Sequence, residues 1–208
     1  MSFKIIVDTF TKYWPMFLRG AGVTLLISVV GTVCGFVIGL LVGVIRTIPM
    51  PDRGIKRIVL KIVNFILAVY IEVFRGTPMI VQAMVIYYGS AMAGFDMDRL
   101  TAAFIIVSIN TGAYMAEIFR GGIISVDEGQ FEAAHAIGMN HFHTMSNVVM
   151  PQVFRNILPA TGNEFVINIK DTSVLNVISV SELFFATNSI AGNNFHYFEA
   201  FFIASVIY

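Results

Sequence analysis

Charge is scarce in this chain: Asp, Glu, Lys and Arg make up 12% of 208 residues, and 13 basic side chains cancel 13 acidic ones. Without a basic excess there is no electrostatic footprint for a phosphate backbone, so nucleic acid is excluded as a partner. Cysteine is almost absent. Cys34 stands alone inside the first apolar run, no disulfide can form within the chain, and the redox compartment stays open. Catalytic signatures are missing too. There is no Gly-x-x-x-x-Gly-Lys-Ser/Thr loop to cradle phosphates and no Gly-x-Ser-x-Gly elbow to raise a nucleophile, so the chain is not expected to be an enzyme. The stretch from Met1 to Gly20 carries Lys4, Asp8, Lys12 and Arg19 and lacks the short positive head and small-residue cleavage site of a secretory signal, so no removable presequence is expected.

What fills the chain is apolar surface: 57% of residues are hydrophobic and the mean hydropathy is +0.79, the composition of an integral membrane protein. Uncharged windows run from Gly20 to Ile45, Gly76 to Phe95, Leu100 to Ala116 and Leu183 to Tyr197. A helix needs about 20 apolar residues to cross a hydrocarbon core of about 30 Å, so the expectation is an all-α membrane protein. The alternating segments of about 10 residues that build a barrel are not found. Arg46, Arg53, Lys56 and Arg57 cluster after the first window. Short basic loops stay in the cytoplasm, which places the amino terminus outside. The segment from Arg57 to Gly94 contains Lys61, Glu72, Arg75 and the break Thr77-Pro78; it is read as one crossing, with Thr77 capping a restarted helix and Pro78 in its first position. Asp96 and Asp98 mark an outer turn, Leu100 to Arg120 returns inward, Leu158 to Ala186 goes out as one helix, and a last inward helix begins near Glu199. About five spans result. Residues 1–19 are expected to form an external or interfacial segment and 20–208 the membrane domain. The final run stops at Tyr208 without a charged flank, as a shortened chain or a brief last helix would.

Gly31, Gly35, Gly39 and Gly43 form an i, i+4 row on one face of the first span, the pattern of a tight helix-packing seam in lipid. A long polar insert at about residues 121–155 then interrupts the apolar stretches. Ser125 and Glu128 have the spacing of a capping box, so a helix is expected to open there and run through Glu132, Ala133 and Ala134. Gly138 suits the residue just past its end, because glycine takes the left-handed conformation at little steric cost. Asn140 can cap a second short helix that Pro151 limits by lacking a backbone donor. Read from these signals alone, the insert is a helical hairpin for docking a soluble partner, or a solvated loop in which Glu132 only pairs locally.

At these residues the chain resembles a family. Glu132-Ala133-Ala134, three residues, Gly138, nine residues, Val148, one residue and Met150-Pro151 is similar to the EAA motif of permease subunits of ATP-binding-cassette importers. Val148 and Met150 stand where that family usually shows Ile and Leu. Phe74-Arg75-Gly76-Thr77-Pro78 with Val81-Gln82, Ala116-Glu117-Ile118-Phe119-Arg120-Gly121-Gly122, and Asn163-Glu164-Phe165 with Lys170-Asp171-Thr172-Ser173 resemble the polar amino acid branch. The resemblance implies a type I importer bundle in a bacterial inner or plasma membrane. It further implies a second permease subunit, the same or related, a cytoplasmic ATPase dimer and an external solute-binding protein. Glu132, Ala133, Ala134, Gly138 and Pro151 would then belong to a cytoplasmic element that couples transport to the ATPase. ATP and Mg would be used by that partner, with no cofactor bound by this chain. A basic carboxyl-terminal tail, usual in the family, is absent.

On a continuous helix, Glu164, Asn168, Asp171 and Glu182 would share a polar stripe. An ionisable residue at mid-membrane costs about 2.5–3.5 kcal/mol on insertion scales and normally faces a bundle interior or wet cavity. Glu164 and Asp171 could accept the ammonium of an amino acid, while Arg75, Lys170 or helix-end amides could hold its carboxylate. Against this, Lys170 and Asp171 can be structural, and Glu72 with Arg75, or Glu117 with Arg120, can pair locally at i, i+3. His135, His141 and His143 lie close in sequence, but two residues apart on a helix do not share a face, and no metal site is expected. The alternatives to an ATP-driven permease are an ion-gradient-driven secondary transporter, in which the buried carboxylates would titrate, and an assembly or sensor subunit.

Overall fold

The computed structural model describes residues 3–208, and among them there are helices and no strand. In chain order they are α1 (Phe3–Arg46), α2 (Ile55–Gly76), α3 (Met79–Met92), α4 (Arg99–Ile124), α5 (Glu128–Ala136), α6 (His141–Thr144), α7 (Met150–Asp171), α8 (Leu183–Asn194) and α9 (Tyr197–Ile207). The chain divides into two compact units. The first takes residues up to Thr32, Thr77–Ser108 and Phe165–Tyr208; the second takes Val33–Gly76 and Ile109–Glu164.

Two helices are long and apolar enough to cross a membrane by themselves, α1 and α4; the bent chain from His141 through Asn194 makes a third candidate. The apolar α3 and α9 are shorter. No break separates residues 3–19 from the first span, because α1 runs from Phe3 to Arg46 as one helix of 44 residues. At 1.5 Å per residue it is about 66 Å long, more than twice a hydrocarbon core.

The glycine row is the seam between α1 and α4. A Cβ at Gly31 would meet Val107, at Gly35 Thr111, at Gly39 Met115 and at Gly43 Phe119. Both series advance by four, so the two helices run parallel. Small residues thus let two backbones approach where lipid offers no hydrophobic drive to do so.

In the second unit the inner face of α2 packs Ile71, with Leu67 and Tyr70, against Val42 and Ala116. Its opposite face leaves Ile55, Ile58, Val59, Ile62, Phe65, Ile66 and Val69 exposed, a lipid-compatible stripe. The Tyr70 hydroxyl donates to the Ile109 carbonyl at 2.6 Å, and Gly112 gives it room. The restart after α2 differs from expectation. Pro78, not Thr77, is the cap residue of α3, with extended backbone (φ −62°, ψ 136°), and Met79 is the first helical position. Proline's fixed φ suits either place, and here its extended ψ makes the corner.

In the first unit, Ile27 of α1, Ala83 of α3, Ala102, Ala103, Ile106 and Val107 of α4, and Leu175 and Ile178 form one core. Phe17, Leu183, Ile190, Ala191, Ala200 and Ile203 form another between α1, α8 and α9. The expected single helix from Leu158 to Ala186 is broken. α7 ends at Asp171, a 3₁₀ stretch covers Thr172–Ile178, Ser179 is left-handed (φ 60°), and α8 starts at Leu183 after a 56° bend. Glu182 is consequently not part of a stripe with Glu164, Asn168 and Asp171. Its fully buried carboxylate caps α8, accepting the Phe184 and Phe185 amides at 2.7 Å each, and the Tyr208 hydroxyl donates to it. That α8 amino terminus is already occupied, so these amides do not offer themselves to a solute carboxylate.

Candidate functional site

The polar insert folds as a hairpin in the second unit. Its first helix does not open at the expected capping box. Ser125 instead closes the last turn of α4 just past Ile124, its amide bonded to the Gly121 carbonyl and its hydroxyl to that of Gly122. Asp127 caps α5 instead, accepting the Gly129 amide at 2.8 Å. Each side chain bonds the backbone nearest to it, and the cap falls two residues later than the spacing signal placed it.

The end of α5 follows the sequence expectation. Gly138 has φ +83°, its amide reaches the His135 carbonyl, and the Met139 amide reaches back to Ala134, which satisfies two carbonyls left over at a helix end. Asn140 then caps α6 by accepting the His143 amide at 2.9 Å. Pro151, however, does not end the second helix. A π turn over Met145–Val149 places the Met150 amide on the Met145 carbonyl, and the chain passes through Pro151 into α7. The wider turn changes the register just where the missing proline donor and the ring would disturb an ordinary α-helix.

Val126, Met145, Val149, Val153 and Ile157 seat the hairpin on Phe119 and Ile123 of α4. Ala134 faces this side and is buried, whereas Glu132 and Ala133 are exposed. At the tip Ile137 and Phe142 are 78% and 73% exposed, two large apolar side chains on an otherwise polar turn that no motif had singled out.

Beneath the hairpin lies an ion cluster. Glu117 pairs with Arg120 through Nε at 2.9 Å and Nη2 at 2.7 Å, the expected local pair, and also with Arg46 at the end of α1. The Arg46 contact spans 71 positions, and only the basic end of α1 hinted at it. Beside the cluster is a cavity of about 660 Å³, lined among others by Arg46, Arg120, Glu128 and Glu132. His135 and His141 line its rim, while His143 bonds Asn140 through Nδ1.

The expected pathway residues are less uniform than their motif suggests. Glu164, in the second unit, and Asn168, in the first, are buried, and Asn168 donates to the Thr32 hydroxyl at 2.8 Å. Lys170 and Asp171 are exposed at the end of α7. Arg75 lies over the ring of Tyr114, 5.4 Å from its centre, and does not pair with Glu72. A cation on an aromatic face keeps its fork free for other acceptors.

Residues 35–208, which include the whole hairpin, match the family described as the inner membrane component of binding-protein-dependent transport systems. The chain belongs to this family. It is 42% identical over 196 residues to the glutamine transport system permease protein GlnP of Escherichia coli K12, covering 93% of this chain and 85% of the relative. Against the arginine transport system permease protein ArtQ of Bacillus subtilis the identity is 33% over 195 residues, with 93% and 84% covered. The solved structure of an amino acid ABC transporter with histidines superposes with a TM-score of 0.86 at 36% identity, covering all of this chain and 91% of that one. The fold is therefore that of a type I ABC importer permease, and the chain is a permease subunit in the membrane.

Proposed function

We propose that this permease carries a polar amino acid, delivered by an external solute-binding protein, inward across a bacterial plasma membrane, and that a cytoplasmic ATPase dimer drives it. The observation that carries this is the hairpin. Its EAA residues fold into a helix, a glycine-locked turn and a second helix, with Ile137 and Phe142 exposed at the tip where a partner can bury them. The named solutes of the similar permeases, glutamine and arginine, support an amino acid as cargo. A second permease, the same chain or a related one, completes the pathway.

In this scheme Glu132, Ala133, Ala134 and Gly138 shape the surface that the ATPase holds, and Pro151 with its π turn fixes the hairpin to α7. ATP binding closes the ATPase dimer and draws two hairpins together; the bundles switch to face outward, and hydrolysis resets them. The hairpin is then a lever between two global states, each favoured by a different ligand. Glu164 and Asn168 are the proposed polar lining, with Lys170, Asp171 and Arg75 as contributors at more exposed positions.

The deciding experiment is Gly138→Val in the assembled transporter. A β-branched residue at φ +83° strains the turn. Uptake and solute-stimulated ATP hydrolysis should both fall while the solute-binding protein still docks. If both activities survive with normal assembly, the hairpin does not couple. Glu164→Gln tests the lining separately: unchanged uptake and specificity would remove Glu164 from the pathway.

A further inference from the structure

We propose that the cavity beside Arg46, Arg120 and the hairpin binds an aminophospholipid of the phosphatidylethanolamine class. The assignment starts from charge. Two guanidiniums share the single carboxylate of Glu117, and the three side chains are only 20–38% exposed, so the cluster carries one positive charge without a partner. An anion placed against Arg46 and Arg120 would neutralise it and use the remaining guanidinium donors.

The same cavity is lined by the opposite sign as well. Glu128 and Glu132 of α5 both line the cavity, so a simple anion such as inorganic phosphate would be repelled there. A ligand that satisfies both signs of charge carries an anionic group and a cationic hydrogen-bond donor. Phosphoethanolamine has this form: its phosphate would meet the arginines and its ammonium Glu128. A choline headgroup keeps the charge but has no N–H to donate, and a glycerol headgroup lacks the cation.

Size and position agree. At about 660 Å³ the cavity is larger than a free amino acid requires and falls in the range of about 300–1,000 Å³ typical of sites for larger ligands. Ile124 and Phe131 give it an apolar side suited to glycerol and the first acyl carbons. Arg46 follows directly on the uncharged run Gly20–Ile45, so it stands where a membrane-spanning helix meets the headgroup layer. Placing that layer on the cytoplasmic side rests on the orientation proposed above; the lipid's identity rests on the cavity alone.

Native mass spectrometry of the assembled transporter in detergent, titrated with phosphatidylethanolamine, phosphatidylcholine and phosphatidylglycerol of equal chain length, tests this without any transport readout. Phosphatidylethanolamine should bind about tenfold tighter than the choline lipid, the effect of a charge-assisted hydrogen bond or two. Glu128→Gln should erase most of that preference, and Glu128→Lys should shift it toward phosphatidylglycerol. Because Glu128 is exposed on α5, neither change removes a packed contact. Equal retention of the three lipids, tightest binding of phosphatidylglycerol by the unaltered protein, or a preference unmoved by both variants would each overturn the site. A transporter that loses coupling in Gly138→Val yet shows no lipid preference would refute the cavity assignment and leave the hairpin's role intact.

Discussion

Replacing Gly39 by alanine adds one methyl group at the tightest point of the α1–α4 seam. The new Cβ would lie 2.3 Å from the Met115 Cβ, 2.7 Å from its carbonyl carbon and 2.8 Å from the Ala116 amide nitrogen. Carbon atoms prefer about 3.5–4.0 Å, so the helices must part locally by about 1.2 Å or more. Two of the three obstacles are backbone and the third is a Cβ fixed to it, so no side-chain rotation relieves the contact. Overpacking of this kind costs about 1–3 kcal/mol, against a helix-propensity gain of up to about 1 kcal/mol for Gly to Ala. The cost wins. Gly22 on the same helix is the internal control, because nothing lies within 4 Å of a Cβ there. Gly22→Ala should leave thermal stability unchanged or slightly raised. Gly39→Ala should lower the midpoint by several degrees, taking about 2–4 °C per kcal/mol for a chain of this size. Adding Gly43→Ala to Gly39→Ala should cost less than the two alone, since helices already parted accommodate the second methyl. The measurement is thermal unfolding of the purified protein in detergent. A Gly39→Ala protein as stable as the Gly22→Ala control would refute the close parallel approach of α1 and α4.

Three further outcomes follow from the side-chain geometry. Glu182→Ala strips two half-buried amides of α8 of their acceptor and should cost about 2 kcal/mol, while Glu182→Gln, which keeps one oxygen, should cost less; the reverse order in thermal unfolding would contradict the cap. Asp98 accepts from the hydroxyl and amide of Thr101, and chiefly through that hydroxyl its carboxyl is held below the ordinary carboxylate range. Its stabilisation of the first turn of α4 is therefore full above the unfolded pKa and is lost as pH falls through the depressed value; the stability gap to Asp98→Asn should be largest near neutrality and shrink below about pH 4, and a gap that widens in acid would reverse the assignment. A double-mutant cycle with Arg46→Gln and Glu117→Gln should give a coupling of about 0.5–1 kcal/mol, a modest value because both groups are partly solvent-screened; strict additivity would mean the contact contributes nothing.

Where the sequence signals worked, they were local. Gly138 and Asn140 act within a few residues of themselves, and the turn they make is the expected one. Where several local signals competed, neighbours decided. Ser125 was the expected cap, but the end of α4 holds it and Asp127 takes the place. Pro151 carries a stop signal that the preceding π turn overrides. The run from Leu158 to Ala186 has no proline or glycine between Asn163 and Ala186 to announce a break, yet packing of Leu175 and Ile178 in one core and Leu183 in another pulls it into three pieces.

By itself the sequence determined the membrane class, the helical architecture, the glycine seam as a packing face, and the hairpin with its family motif, because composition, periodicity and turn chemistry act over a few residues and need no partner to be read. Tertiary structure alone decided that the seam receives α4 in parallel, that Arg46 joins Glu117 across 71 positions, that Glu182 caps α8 instead of lining a stripe, and that carboxylates and guanidiniums line one cavity. Those facts depend on which distant surfaces meet, and distance along a chain carries no record of that.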